Sequence, residues 1–410
     1  MKKLLLVLLI LSLFINHLNA NEKDLQIIQK DKKEYRLLDK ESIQTRQQSQ
    51  KYDWISPIDL SGNIGRNHSF SDENSRNLNN KNTKSASIGF TQSIFESGGI
   101  GFKMDYADNR FKYEMLSWEN QNSQLIYTIY NTLLDIKKLK LEINQNDYRI
   151  VNKDIELIIK KIQYEAGKTD IIELNNAIMS KNLILKEEIA LKNSLKEKEQ
   201  ELAKYTDLKY DEIEILDFQE TNKDIFLDKN YSILEADAKV EMLNSEYKIK
   251  KSQYLPKLSL SAKASYSNQD EKFNSMINDT NKDDASSSGS LILSMPLYDY
   301  TKSSKIQESK IEVLKQKALV NDLKNETAFE YEQIFTKIDT YLKQNETINK
   351  NIKLYEELIG ANKISSEAGM TSKYDLEILE NTKTINEFDI LINKINILQQ
   401  YAKLYFKIKN

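Results

Sequence analysis

The stretch PKLSLSAKASY, Pro256 to Tyr266, places Leu258, Leu260, Ala262, Ala264 and Tyr266 on every second position, with serine or lysine between them. Successive side chains of a strand point to opposite faces, so this text yields one apolar and one polar face. Pro256 stands at its start, where a residue without an N–H is tolerated. Earlier in the chain Pro57 is followed by IDLSGNI, with Ile58, Leu60 and Ile64 on one face. Across a polar loop each segment meets a second alternating run. These are Ile88, Phe90 and Ile94 in SIGFTQSIF, and Leu291, Leu293, Met295 and Leu297 in LILSMPL. The alternation predicts four strands, at about 56–66, 85–96, 257–267 and 288–298. The loops between them, Asn67 to Lys84 and Asn268 to Ser288, are rich in Asn, Asp, Ser and Lys.

Outside these runs the chain reads as helix. Phe102 to Ala166, Lys168 to Leu255 and Leu297 to Ile359 contain neither glycine nor proline. Leu125, Ile129, Leu133, Ile136, Leu139 and Ile143 step by three or four, which makes one apolar stripe. Tyr341, Ile348, Ile352, Tyr355 and Ile359 do the same, and Phe388, Leu391, Ile395, Leu398, Ala402 and Tyr405 form a heptad seam. A helix from Ser97 to Tyr164 would run roughly 100 Å, a length suited to coiled coils. This text is broken at YEAGKTDIIEL, Tyr164 to Leu174, and again at SEAGMTSKYDL, Ser366 to Leu376. Glycine reaches left-handed backbone angles without strain, so Gly167 and Gly369 mark helix reversals. Thr169 and Thr371 are placed to cap the returning helices.

Pro57 and Pro256 lie 199 residues apart, Ile94 and Leu297 203, and Gly167 and Gly369 202. Three unlike landmarks at nearly one offset read as a tandem repeat, 21–210 and 211–410. Each repeat comprises a helix, two strands and a long helical hairpin with its tip near 167 or 369. Residues 1–20 have Lys2 and Lys3, an apolar run from Leu4 to Ile15 and Ala20 before Asn21, the pattern of a cleaved secretory signal.

Among 410 residues there are only 10 Gly and 3 Pro, with 30% charged and 40% hydrophobic side chains, which fits long helices with wet faces. Fifty-nine basic against 62 acidic residues leave a net charge of −3 with no basic face for nucleic acid. With no cysteine, and with His17 in the signal and His68 alone beyond it, the sequence points to no metal site, cofactor or enzymatic centre.

Four exported strands with one apolar face suit a bilayer-spanning barrel, which must close because unpaired backbone is too costly in lipid. Four are too few to close one, so the chain must pool strands with copies of itself. A trimer supplies twelve. The competing reading is a small soluble sheet in a periplasmic coiled-coil protein.

Taken together, YLPKLSLSAKASY, QSIFESGG, SMPLYDY and the tips YEAGKTDIIELNNA and SEAGMTSKYDLEILEN resemble the outer-membrane efflux proteins of the TolC type. The resemblance covers nearly the whole mature chain. It implies a mainly α fold with a small β part, in which a homotrimer forms a twelve-stranded barrel in outer-membrane lipid and an α-helical periplasmic tunnel of long antiparallel hairpins. It further implies a periplasmic adaptor and an inner-membrane pump of RND or ABC type as partners, and passage of small molecules without chemistry. The tips would dock the adaptor through Tyr164, Gly167, Lys168 and Thr169, and through Gly369, Met370 and Thr371. Glu173, Tyr374 and Asp375 would form the periplasmic gate, with rings of carboxylates that attract cations. The family's pattern often has an arginine where Thr371 stands. A type I protein-secretion duct is the alternative within the class.

Overall fold

A computed structural model describes residues 25–69, 79–218, 220–270, 282–367 and 372–409 of the chain. The signal segment lies outside them. A 3-10 turn at Leu25–Ile27 leads into α1 (Lys30–Tyr52), the strands β1 (Asp59–Ser69) and β2 (Asn79–Phe95), and the hairpin of α2 (Gly99–Glu165) and α3 (Ile171–Leu202). Then come α4 (Lys223–Asp228), α5 (Tyr231–Ser252), β3 (Lys257–Asp270), β4 (Lys282–Ser294), α6 (Lys302–Glu367) and α7 (Lys373–Lys407). The fold is mainly α with one four-stranded antiparallel sheet, as periodicity predicted. Among the described residues no helix is long and apolar enough to cross a membrane.

Strand limits differ from those the alternation gives. β2 starts at Asn79 and β4 at Lys282, so each takes in polar text that reads as loop. A ladder needs only backbone partners, and the polar residues extend it without needing a core. At the other end β4 stops at Ser294, because Pro296 has no N–H to pair.

The chain divides into two compact units, each drawing on both halves of the sequence. One comprises Glu41–Met115 and Ala236–Val320 and contains the whole sheet. Its strand order is β1-β2-β3-β4, so β1 and β4 are the edges. The exit of β2 is tied to the entry of β3, where Ser97 Oγ donates to the Pro256 carbonyl at 2.7 Å, and to the start of α2, where Glu96 pairs with Lys103 at 2.9 Å. Ser97 (φ 50°) and Gly98 (φ 87°) turn the chain from β2 into α2. A Cβ on Gly99 would lie 2.8 Å from Ser252 Oγ, so this corner also demands the second glycine of ESGG.

The other unit holds the described residues of Met1–Lys40, Leu116–Glu235 and Asn321–Asn410. Ile129, Leu133 and Ile136 of α2, on the stripe that the spacing predicts, are fully buried, and so is Leu134 beside it. Beside them Tyr130 stacks on Phe406 at 5.5 Å, and Phe218 meets both rings edge-on, at 5.8 and 5.7 Å. Phe226, Ile334, Ile338, Leu404 and Ile408 form a second cluster. The heptad seam of α7 is only partly the buried face: Leu391 is exposed, whereas Asn393, Asn396, Ala402, Leu404 and Phe406 are buried. A heptad assumes one neighbour. Here α7 has two, bonded to α2 through Gln145–Asp389 and Asp135–Gln399 and to α6 through Asn345–Asn393.

Candidate functional site: a two-faced sheet and two hairpin tips

The register decides which side chains share a face of the sheet. Leu60 is opposite Ile88, Ile88 opposite Ala264; Phe90 is opposite Ala262, and Leu258 opposite Leu293. These rows put most of the predicted alternating residues on one side; Ile94 falls in a bulge, where Phe95 takes the place opposite Leu258, and Ile58, Met295 and Leu297 lie outside the strands. The other side is lined with hydroxyls. Ser61 and Ser87 Oγ lie 2.8 Å apart, Ser265 and Ser286 2.8 Å, and Thr91 and Ser261 3.0 Å. Such cross-strand pairs satisfy one another and stiffen the sheet without an apolar core.

Among the described residues no element of the unit covers the apolar face. Leu60 is 79% exposed, Ile64 68%, Leu291 63% and Leu293 73%. Past β4 the side chains of Leu297, Tyr298 and Tyr300 are barer still, with Leu297 at 92%. A contiguous apolar surface of this kind on a folded chain marks contact with lipid or protein.

At the first hairpin tip the sequence reading meets its geometry. Gly167 has φ 69°. Its N–H donates to the Tyr164 carbonyl at 2.9 Å, and that of Lys168 to the Gln163 carbonyl at 2.8 Å. These two bonds form a Schellman ending with glycine at the left-handed position. The next helix is capped by Asp170, not Thr169: the Asp170 carboxylate accepts from the Glu173 N–H at 2.9 Å. A carboxylate at that position also answers the helix dipole, which a hydroxyl does not. Glu173 pairs with Lys160 across the hairpin at 3.0 Å. Exposed Ile171 and Ile172 adjoin the cap and complete an apolar and basic tip with Tyr164 and Lys168. The sequence reading missed these isoleucines, because apolar residues opening a helix look like ordinary core stripe.

Of the second tip, Gly369, Met370 and Thr371 lie outside the described residues. The cap there is Ser372, whose Oγ accepts from the Tyr374 N–H at 3.1 Å. Tyr374 and Asp375 follow in the first turn of α7, both exposed. Above the tips a polar seam joins α2 to α7: Asn152 bonds Thr382 and Asn381, and Gln145 Nε2 donates to Asp389 at 2.7 Å.

A sheet apolar on one face and hydroxylated on the other, followed twice by a helical hairpin, agrees with the family comparison. The family model described as outer membrane efflux protein matches residues 224–403. Those residues form an outer membrane efflux protein domain. The efflux domain includes α5, β3, β4, α6 and most of α7.

Solved channels extend the likeness to nearly the whole chain. The outer membrane protein VceC of Vibrio cholerae superposes with a TM-score of 0.71 at 12% identity, covering 94% of this chain and 93% of its own. The CmeC outer membrane channel of Campylobacter jejuni gives 0.70 at 12% identity, covering 92% and 84%. The open state of the Neisseria gonorrhoeae MtrE outer membrane channel gives 0.68 at 11%, covering 94% and 87%. At such identities the likeness is one of fold. No curated protein sequence matches the chain.

Proposed function

We propose that this chain is the exit duct of a tripartite efflux system in the outer membrane of a Gram-negative bacterium. Three copies join their sheets edge to edge, β4 of each to β1 of the next, into a twelve-stranded barrel. The observation that carries this is the uncovered apolar face on a sheet with two open edges. From Leu258 to Tyr266 the apolar rows of β3 span about 26 Å of strand. At a tilt near 40° that is a band of ~20 Å, close to what a barrel presents to lipid. The hydroxyl face then lines water, and the helical hairpins continue the duct into the periplasm. The efflux-protein domain and the channel folds support this reading, and they describe a family of channels rather than enzymes.

The tips serve the partners. Gly167 leaves bare backbone, and Tyr164, Lys168, Thr169, Ile171 and Ile172 surround it, so a helix of the periplasmic adaptor can approach closely. Gly369, Met370 and Thr371 play the same part in the second hairpin. Glu173, Tyr374 and Asp375 line the periplasmic mouth, where three copies of each form rings. Replacing any of the three by alanine raises conductance in planar bilayers. Unchanged conductance across all three would remove them from the gate.

The direct test of the duct is the mass of the assembly extracted in mild detergent from outer membranes. A trimer is the expected result. A soluble periplasmic monomer or dimer would overturn the reading.

A further inference from the structure

The polar face of the sheet carries few charges. Between the row of Lys257 at the start of β3 and the row of Asp284 in β4, the register gives that face serines, Thr91, Ile292 and Gly89, and only two charged residues, Asp59 and Lys263. Both belong to one row: Asp59 is opposite Gly89, and Gly89 is opposite Lys263. The residue between them has no side chain. A Cβ on Gly89 would sit 3.3 Å from Lys263 Cβ and 3.0 Å from the Ala262 carbonyl oxygen, so the glycine keeps open the space beside the root of the lysine. Asp59, Gly89 and Lys263 line one depression of this face together with Ser61, Ser87 and Ser261. Two strand spacings, about 10 Å, separate the two backbones, a gap that a flexible lysine and an aspartate can bridge.

We propose that Lys263 and Asp59 are the charge-selecting pair of the barrel, an inference that rests on the exit-duct reading. In a trimer the row recurs three times at one height, giving a ring of alternating sign in a stretch of wall otherwise lined mostly by hydroxyls, between the rows of Lys257 and Asp284. Twelve strands at ~4.8 Å spacing and ~40° tilt close at a radius of about 12 Å. The screening length in physiological salt is ~8 Å, so such a ring acts on solutes over most of the lumen. With both signs present it favours neither. The barrel therefore suits small polar solutes that are neutral or zwitterionic, and removal of one partner leaves three uncompensated charges of the other sign.

The experiment is the reversal potential of the full-length assembly in planar bilayers under a salt gradient. Lys263→Gln shifts selectivity toward cations, Asp59→Asn shifts it toward anions, and the double variant returns to the native value. Lys263→Arg leaves it unchanged. Because the chain has no cysteine, Lys263→Cys can be recharged in place. A cationic methanethiosulfonate restores the native selectivity and an anionic one drives it further toward cations, which separates charge from misfolding. Conducting channels whose selectivity is unmoved, or moves the same way in both single variants, would overturn the pair. A native protein that never conducts would overturn the duct itself.

Discussion

Leu60 on β1 and Leu133 on α2 are the same side chain in opposite circumstances. Leu60 is 79% exposed and Leu133 fully buried. Around Leu133 the chain does what a water-soluble protein does, closing helices over an apolar stripe backed by the rings of Tyr130, Phe218 and Phe406. Around Leu60 it lays out an equally regular apolar surface and covers none of it. Burial of apolar area is the main stabilising term of folding. A sheet that forgoes it is completed by something outside the chain, and in this account that is lipid on one face and neighbouring strands at the edges.

The contrast can be broken most strongly in the helical unit. Phe406, only 5% exposed, contacts four aromatic rings, those of Tyr127, Tyr130, Phe218 and Tyr405. Phe406→Ala lowers unfolding stability by about 3–5 kcal/mol, read from denaturant titration of the assembled protein. A truncation on the sheet face, Leu60→Ala, should leave that titration nearly unmoved.

Next in size is a charge placed on either side of one strand. Ala264→Arg puts a cation in the apolar row and costs about 2–4 kcal/mol of membrane assembly, seen as loss of trimer from the outer-membrane fraction. The adjacent Ser265→Arg, on the hydroxyl face, leaves trimer yield intact and lowers conductance. Equal losses for both would deny that the two faces meet different surroundings.

At the tip, Gly167→Ala forces a Cβ into a left-handed residue and costs about 1 kcal/mol, measured as faster amide exchange at the hairpin end. Space is not the obstacle, since no atom lies within 4 Å of that Cβ.

The smallest effect is a pH dependence confined to the helical unit. Burial pushes the Glu330 carboxyl up, but hydrogen bonds from Lys403, at 2.8 Å, and from Lys407 outweigh it and hold it below the ordinary value of 4.5. A carboxyl held low in the folded chain adds stability above its unfolded value, and that contribution is lost as pH falls through the folded one. Glu330→Gln is therefore less stable than the native chain at neutral pH, and thermal melts of the two converge as pH drops below about 4.5.

Much of this was legible in the sequence because strand and helix periods are local. Alternation marked the apolar face of all four strands, and a lone glycine in helical text marked the turn at 167. Sequence showed less of what depends on neighbours. The cap fell to Asp170 rather than Thr169 because the dipole rewards charge. β2 and β4 ran into polar text because a partner strand was there to pair. The buried face of α7 moved to Asn393, Asn396 and Leu404 because that helix is flanked on two sides. The Asp59–Gly89–Lys263 row could not be read at all before the register joined strands nearly two hundred residues apart.

One measurement tests the central claim most directly. Single cysteines placed in turn at Ser261, Ala262, Lys263, Ala264 and Ser265 in the membrane-assembled protein are exposed to a hydrophilic maleimide that cannot enter lipid. The account predicts reaction at 261, 263 and 265 and protection at 262 and 264. Uniform labelling along the strand, or the opposite alternation, would contradict it.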